Sequence, residues 1–465
     1  MMAQRVAFAA IFARLPRKEA TPPLANTLRP LRGRAMTQSL RIALAGLGTV
    51  GAGVIKLLDA NHDLIARRAG RPIEVIAVSA RDRARDRGVD LARFDWVDDT
   101  TSLASRDGVD VVVELIGGSD GPALVLARHT IAAGRAFVTA NKAMIAHHGL
   151  ELAQAAEAAG TALKYEAAVA GGIPVIKGLR EGAAANELSG VFGILNGTCN
   201  YILSTMESEG RDFAEVLGEA QALGYAESDP SFDIDGVDAA HKLSILASLA
   251  FGTAIDFEGV AISGIRHVIA ADIVEARALG HRIRLVGMAS ANVQGLSQRV
   301  QPCLVPLSHP LAHVTGSLNA VVAEGNFVGR LFMQGRGAGE GPTASAVVAD
   351  LIDIARGETG PAFAMPVASL ATPGRAPVGE RVGRSYLRFV VADRAGVLAE
   401  ITAAMRDADV SIESLSQRGV TAEGAAVVAL VTHECREANV AKALALLEGS
   451  DSLKAAPMVM HILGD

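Results

Sequence analysis

The stretch "LRIALAGLGTVGAGVIKLLDA", residues 40–60, constrains the fold most. It reads as a short apolar strand, a glycine turn and an amphipathic helix, with Gly46, Gly48 and Gly51 in the spacing G-x-G-x-x-G. In that pattern the first glycine allows a tight turn, the second lets backbone approach a pyrophosphate, and the third lets helix pack on strand. The N–H groups at the helix start, on Thr49, Val50 and Gly51, are then free to face phosphate. A second apolar strand, "IEVIAV" (73–78), follows, so the glycines sit in a βαβ context rather than in a lone packing turn. Its end carries Ser79, Ala80, Arg81, Asp82 and Arg83 where NAD sites usually place an acid on the ribose. A hydroxyl and two arginines suit a 2′-phosphate and point to NADP, while Asp82 keeps NAD open.

Further strands are expected at 109–118, 136–142 and 162–169, with helical stretches between them. That alternation predicts an α/β chain with a doubly wound parallel sheet. Ligands bind beyond the carboxyl ends of such strands, where Gly117, Gly118, Ala140, Asn141 and Lys142 fall. Apolar residues at 50% and aromatics at 4% suit this Ala/Val/Leu-rich architecture. A net charge of −6 does not favour nucleic acid as a partner. No apolar run approaches the roughly 18 residues of a membrane span. Cys199, Cys303 and Cys435 are sparse and lack C-x-x-C, which indicates a reducing, cytoplasmic setting and no zinc ribbon.

The expected organisation begins with a disordered extension over 1–37, where Arg5, Arg14, Arg17, Lys18, Arg29, Arg32 and Arg34 face one acid, Glu19. An Arg-rich, acid-poor leader also fits a targeting segment, but a strand begins only a few residues after Met36. A dinucleotide-binding domain spans 38–165, and an α+β substrate domain spans 166–334. "GRGAGEGPTASAVVADLIDIA" (335–355) returns to a glycine turn opening a helix, with Gly339 and Glu340 at its start. Residues 335–357 are expected to close back onto the first domain. A linker covers 358–383, and 384–465 reads βαββαβ, the ferredoxin-like arrangement of a dimerisation or ligand-sensing module.

"GYAESDPSFDIDGVDAAHKL" (224–243) clusters Glu227, Asp229, Asp233, Asp235 and Asp238 ahead of Lys242. An EF-hand register would put Lys242 where the bidentate acid belongs, which excludes calcium. A solvated loop with an i,i+4 Asp238–Lys242 pair and the floor of an active site both remain.

With Gly224-Tyr225-Ala226-Glu227, Asp229-Pro230, Asp233, Gly236, Asp238 and Lys242 at this spacing, and with "TANKAMIA" and "YEAAVAGGIPVI", the chain resembles homoserine dehydrogenase with a C-terminal ACT domain over roughly residues 38–465. The resemblance implies NAD(P)-dependent interconversion of L-homoserine and L-aspartate 4-semialdehyde in threonine, methionine and isoleucine biosynthesis. It implies that Gly224, Glu227 and Asp238 hold substrate, and that Lys242 is the general acid/base with Lys142 beside the cofactor. Gly339 and Glu340 would join Gly46, Gly48, Thr49, Val50, Gly51, Arg81, Gly117, Ala140 and Lys142 around the dinucleotide. Two nearby cations would lower a lysine pKa toward working pH. A monovalent cation, Na⁺ or K⁺, is implied on carbonyls of Glu166, Val169, Gly171 and Ile173. Threonine is the implied effector at the turn of Asp393, Gly396 and Val397, where Ala395 replaces a frequent proline. A homodimer or homotetramer is also implied. The competing readings are a catalytically inactive amino-acid sensor and another ACT-bearing Rossmann oxidoreductase.

Overall fold

The computed structural model describes residues 38–420 and 425–464, so the extension expected over 1–37 lies outside the described residues. Six parallel strands run in the order Asp95–Trp96, Ile73–Ser79, Leu40–Ala45, Val111–Glu114, Ala136–Thr139 and Leu163–Lys164. This is the strand order of dinucleotide-binding sheets, with the crevice where the order reverses, between Leu40–Ala45 and Val111–Glu114. Both faces of the sheet are covered, which explains the near-continuous apolar strands. Ile42 and Leu44 pack into one core with Val54, Val347 and Leu351. Ala43 and Ala45, pointing the other way, join Val112 and Phe137 in a second core.

The strand expected over 162–169 shrinks to Leu163–Lys164. Beyond it the Glu166 N–H donates to Asp350 instead of a neighbouring strand, and Glu166–Ala168 coil into a single 3₁₀ turn. Asp350 belongs to the helix Glu340–Arg356, which packs along the helix Thr49–Ala60. The approach is close. A Cβ on Gly53 would lie 2.6 Å from the Glu340 Cγ and 2.9 Å from its carbonyl oxygen.

The second sheet has ten strands. Its long hairpin, His281–Asn292 with Gly295–Pro306, is flanked by Leu188–Ile194, Leu318–Gly325 and Gly329–Arg336 on one side. On the other side Gly295–Pro306 pairs in parallel with Met458–Ile462 through Cys303↔His461 and Leu304↔Ile462. Met458–Ile462 is the last strand of the C-terminal βαββαβ module, whose order continues Ser385–Ala392, Ala425–Thr432, Ile412–Val420. One face of this part is covered by the helices Val397–Asp407 and Glu437–Leu446 over Leu387, Phe389 and Val391. On the alternate positions, Tyr386 and Arg388 turn to the helix Ala270–Ala278. There the fully buried Asp272 carboxylate accepts from Tyr386 Oη at 3.0 Å and lies 2.9 Å from Arg388 Nε.

Module and body are therefore joined by more than the linker. The sheet is continuous across the boundary, and a buried carboxylate depends on two module side chains. The linker itself is held down: Ala254 N donates to Ala371 O, and Leu296 exchanges backbone bonds with Gly374 and Ala376. Val382–Gly383 forms a short strand with Cys435–Arg436. Removing one partner of a buried ion pair costs about 3–5 kcal/mol because the other charge is stranded. Arg388→Met should therefore destabilise the whole chain by about that much, and adding Asp272→Asn should recover part of the loss. Equilibrium denaturation of both variants measures it.

Candidate active site

The helix Val237–Phe251 starts at Gly236, whose φ of 91° only glycine adopts readily. Asp238 and Lys242 lie one turn apart on this almost wholly buried helix. The Lys242 Nζ donates to Asp238 Oδ2 at 2.7 Å and to the Leu195 carbonyl at 2.7 Å. The other oxygen, Oδ1, lies 2.9 Å from the Nζ of Lys142. Lys142 is the first residue of the helix Lys142–Ala159, at the end of the fifth strand of the dinucleotide sheet. One carboxylate thus joins lysines from the two parts of the molecule. The bland reading, an exposed helical ion pair, is excluded by Asp238 at 4% exposure and Lys242 at 9%.

The three groups titrate in different directions. Burial pushes the Asp238 carboxyl up, but Lys242 and Lys142 outweigh it and hold it well below the usual carboxylate range. Burial pulls Lys242 down, and the Lys142 charge adds to that against the attraction of Asp238. Burial also opposes the Lys142 ammonium, yet Asp238 more than compensates and its pKa is raised. The expected mutual lowering therefore falls on Lys242 alone.

Asn196, which sequence reasoning missed, is the keystone of the remaining carboxylates. It caps the helix Gly197–Glu209 by accepting from Cys199 N at 2.8 Å, which fixes the orientation of its amide. Both amide donors then face acids, Asp233 Oδ1 and Asp238 Oδ2, each at 2.8 Å. Asn319 also donates to the Leu195 carbonyl at 2.9 Å. The available signal was an asparagine between an apolar strand and a helical run. The other acids of the cluster are solvated: Asp229 binds Ser231, and Asp235 pairs with Arg266. Glu227 and Gly224 lie on the exposed turn before Ser231–Ile234, and the Glu227 carboxylate is not drawn into the Asp238 group. Thr198 Oγ1 ties that turn to the site by bonding the Tyr225 carbonyl at 2.7 Å and Asp233 at 3.2 Å.

At the sheet crevice, Gly46 has φ 102°, and a Cβ there would lie 2.6 Å from the Leu115 carbonyl oxygen. A Cβ on Gly51 would lie 2.2 Å from the Gly46 oxygen, whereas one on Gly48 would meet nothing within 4 Å. Gly48 faces a cavity of about 560 Å³ lined by Gly46, Arg81, Asp82, Arg85 and Arg87. The first helical bond is Ala52 N to Gly48 O, so the N–H groups of Thr49, Val50 and Gly51 precede the ladder. These residues fit a dinucleotide. Glu114, another missed residue, is fully buried and accepts from Ile116 N, Gly117 N and Thr139 Oγ1 at 2.6–2.9 Å. It shapes the loop that carries Gly117, and Ala140 N bonds its carbonyl.

One cofactor expectation needs correction. The Ser79 hydroxyl is buried against Thr100 Oγ1 at 2.7 Å, and Arg83 lies over the Trp96 ring at 5.6 Å. Ser79 and Thr100 both still line the cavity, and Arg85 and Arg87 take the place of Arg83 there, with Arg87 Nε bonded to Leu47 O at 2.8 Å. Glu340 engages Lys56 at 2.8 Å beside the glycine-turn helix, and Gly339 caps its own helix at φ 119°. Around 166–173, Ala170 and Gly171 both have positive φ, and the Glu166 carboxylate accepts from Ile176 N and Lys177 N. Ile173 O accepts from Val175 N. In the module, Asp393 and Gly396 are exposed at the start of Val397–Asp407, while the Val397 side chain is in the core.

Models of three families match the chain: "Homoserine dehydrogenase, NAD binding domain" over 46–166, "Homoserine dehydrogenase" over 174–352 and "ACT domain" over 385–449. The homoserine dehydrogenase of Neisseria gonorrhoeae is 43% identical over 421 residues, covering 89% of this chain and 96% of that protein. The chain belongs to the homoserine dehydrogenase family. It is an NAD(P)-dependent oxidoreductase that carries an ACT domain. A crystal structure of a homoserine dehydrogenase from Thiobacillus denitrificans is 41% identical, with TM-score 0.86 over 92% of this chain and 99% of that one. A hyperthermophilic archaeal homoserine dehydrogenase solved with NADPH is 26% identical, with TM-score 0.58 over 68% and 97%.

The depressed Asp238 pKa sets an acid limb on stability. Its contribution is present above the unfolded carboxylate value, about 4, and is lost as pH falls through the lower folded value. Asp238→Asn should lower stability at neutral pH by roughly 3–5 kcal/mol and flatten the decline below about pH 4. Urea denaturation across pH tests both.

Proposed function

We propose that this enzyme interconverts L-homoserine and L-aspartate 4-semialdehyde, with Lys242 moving the proton. The observation that carries the assignment is the single buried Asp238 carboxylate shared by Lys242 and Lys142. When bound, the nicotinamide cofactor supplies or accepts the hydride at the substrate carbon. In reduction, Lys242 Nζ donates its proton to the carbonyl oxygen as that oxygen gains negative charge, and the neutral amine regains a proton from solvent. Its pKa lies below that of an ordinary lysine because it is buried beside Lys142, so the proton leaves more readily. The Lys142 ammonium, kept charged by Asp238, faces the same region from the dinucleotide side and steadies the developing alkoxide. Glu227 and Gly224, on the turn tethered by Thr198, take the substrate's polar groups. Lys242→Ala should lower kcat by about 10²–10⁴-fold with little change in cofactor affinity. A near-normal kcat would remove the proton role.

NADP is the proposed cofactor, because three arginines, Arg81, Arg85 and Arg87, line the cavity where a ribose phosphate would lie. The relative solved with NADPH agrees with that choice. Losing a charge-assisted contact costs about 1.5–3 kcal/mol. Arg81→Ala should therefore raise KM for NADPH about 10–100-fold and leave NADH nearly unchanged. Arg83→Ala should affect neither, since Arg83 does not line the cavity.

The domain boundaries stated above, a monovalent cation on the carbonyls of 166–173, and a threonine site at Asp393, Gly396 and the Val397 N–H belong to the same reading. Oxygen donors and left-handed backbone at Ala170 and Gly171 support the first of these sites. An exposed helix start supports the second. A cytoplasmic homodimer or homotetramer in threonine, methionine and isoleucine biosynthesis completes it.

A further inference from the structure

We propose that the seam between the catalytic sheet and the C-terminal module is a binding site for a small monocarboxylate, held by Arg381 and His461. Neither the proposed reaction nor the threonine turn is needed for this inference. The site is a cavity of about 340 Å³ where Met458–Ile462 meets the hairpin His281–Asn292 and Gly295–Pro306. Its walls include Arg381, Gly383, Glu434, His461, Leu463 and Gly464. That volume is at the small end of ligand pockets, roughly 300–1,000 Å³.

The side chains there are incompletely satisfied. Arg381 Nη2 donates to His461 Nε2. A guanidinium can only donate, so Nε2 is the acceptor and the neutral ring carries its proton on Nδ1. His461 is 5% exposed, and its Nδ1 has no hydrogen-bond partner. Burial, reinforced by Arg381 and Arg299, holds the imidazole near pKa 2 and so neutral. A buried N–H donor beside a cavity without an acceptor is rare.

Charged groups also cluster at the same place. Arg299 Nη1 lies 2.6 and 2.8 Å from the two oxygens of Glu437, and Arg381 Nη1 lies 3.3 Å from the first of them. Two guanidiniums thus share one carboxylate, next to a neutral histidine. The neighbouring Arg384 is already paired with Glu413 at 2.6 and 2.8 Å. An entering carboxylate would accept from His461 Nδ1 beside the Arg381 guanidinium. Glu434 on the wall disfavours a second negative charge on the ligand, which selects a monoacid. Because the cavity spans module and body, occupancy would strengthen their junction.

The carboxylate has two conceivable sources, a free acid or Asp465, which follows Gly464 in the sequence. The test uses the full chain with sodium acetate at matched ionic strength against sodium chloride. It follows Tm together with the ¹⁵N shifts of the His461 ring, assigned by a His461→Phe variant. The expected result is an Nδ1–H tautomer, a Tm rise of about 2 °C or more at saturation, and a shift of the Nδ1 resonance. His461→Phe should abolish the acetate response. Should that variant fail to fold, His461→Gln supplies the assignment, and the tautomer and the acetate-induced Nδ1 shift in the unaltered chain still decide. A response seen only when Asp465→Asn is combined with a short Gly-Ser tail would support the carboxylate site with the chain's own end as occupant. An Nε2–H tautomer, no response in either chain, or a response that survives in His461→Phe would overturn the proposal. Asp393→Ala should leave the acetate response intact, which separates this site from the threonine turn.

Discussion

The Asp238 carboxylate is the constraint on which the site depends. It is buried, and it accepts from Lys242, faces Lys142 and takes an amide proton of Asn196. In a low-dielectric interior an unpaired carboxylate at this position would be severely unfavourable, as would either lysine alone. These groups are therefore mutually required, and with Asn196 they come from three different pieces of the fold. Lys142 opens a helix of the dinucleotide domain, Asn196 caps the helix that follows a strand of the second sheet, and Asp238 with Lys242 lies on the central buried helix. Satisfying one carboxylate brings the hydride-bearing side and the proton-bearing side of the reaction within reach of each other.

Depth separates the roles of the two lysines. The Lys142 side chain is 33% exposed and that of Lys242 is 11%. Asp238 keeps the first ammonium charged against the cost of its partial burial. The second is desolvated further and also feels the Lys142 charge, so it loses its proton more readily. Sharing one anion between unequal sites thus yields a fixed cation and a proton carrier from the same residue type.

Local patterns in the sequence revealed the elements whose logic is local. The glycine turn at 46–51, the strands at 40–45 and 73–79, and the βαββαβ order after Ser385 all follow from periodicity and glycine placement. Asp238 and Lys242 were legible as an i,i+4 pair, and the resemblance pointed to chemistry. Asn196, Glu114 and the Leu195 carbonyl were not, because their roles arise from partners 25 to 47 positions away. Arg83 and Arg87 could not be told apart by composition. Only the fold sets both over Trp96 and yet turns Arg87 alone across the glycine loop to the cavity. The strand expected at 162–169 failed for a similar reason: a tertiary bond from Glu166 N to Asp350, 184 positions away, diverts the backbone.

The C-terminal module carries this point furthest. A proline- and glycine-containing segment before a self-contained pattern suggests a detachable unit. Yet the pairing of Cys303 with His461 makes one sheet of both parts. Strand addition satisfies backbone edges that a free module and a free body would each expose. On the far side of that sheet, Tyr386 and Arg388 reach Asp272 on a helix that also packs against Gly197–Glu209, the helix capped by Asn196. From module to active-site carboxylate there is thus an unbroken series of packed elements: Arg388 to Asp272, Ala270–Ala278 to Gly197–Glu209, and Asn196 to Asp238. Contiguity alone does not create coupling. A ligand in the module can change the site only by favouring one of two arrangements of this series over the other. The buried Asp272 contact makes such alternatives discrete, because sliding the module even one strand register would strand its charge.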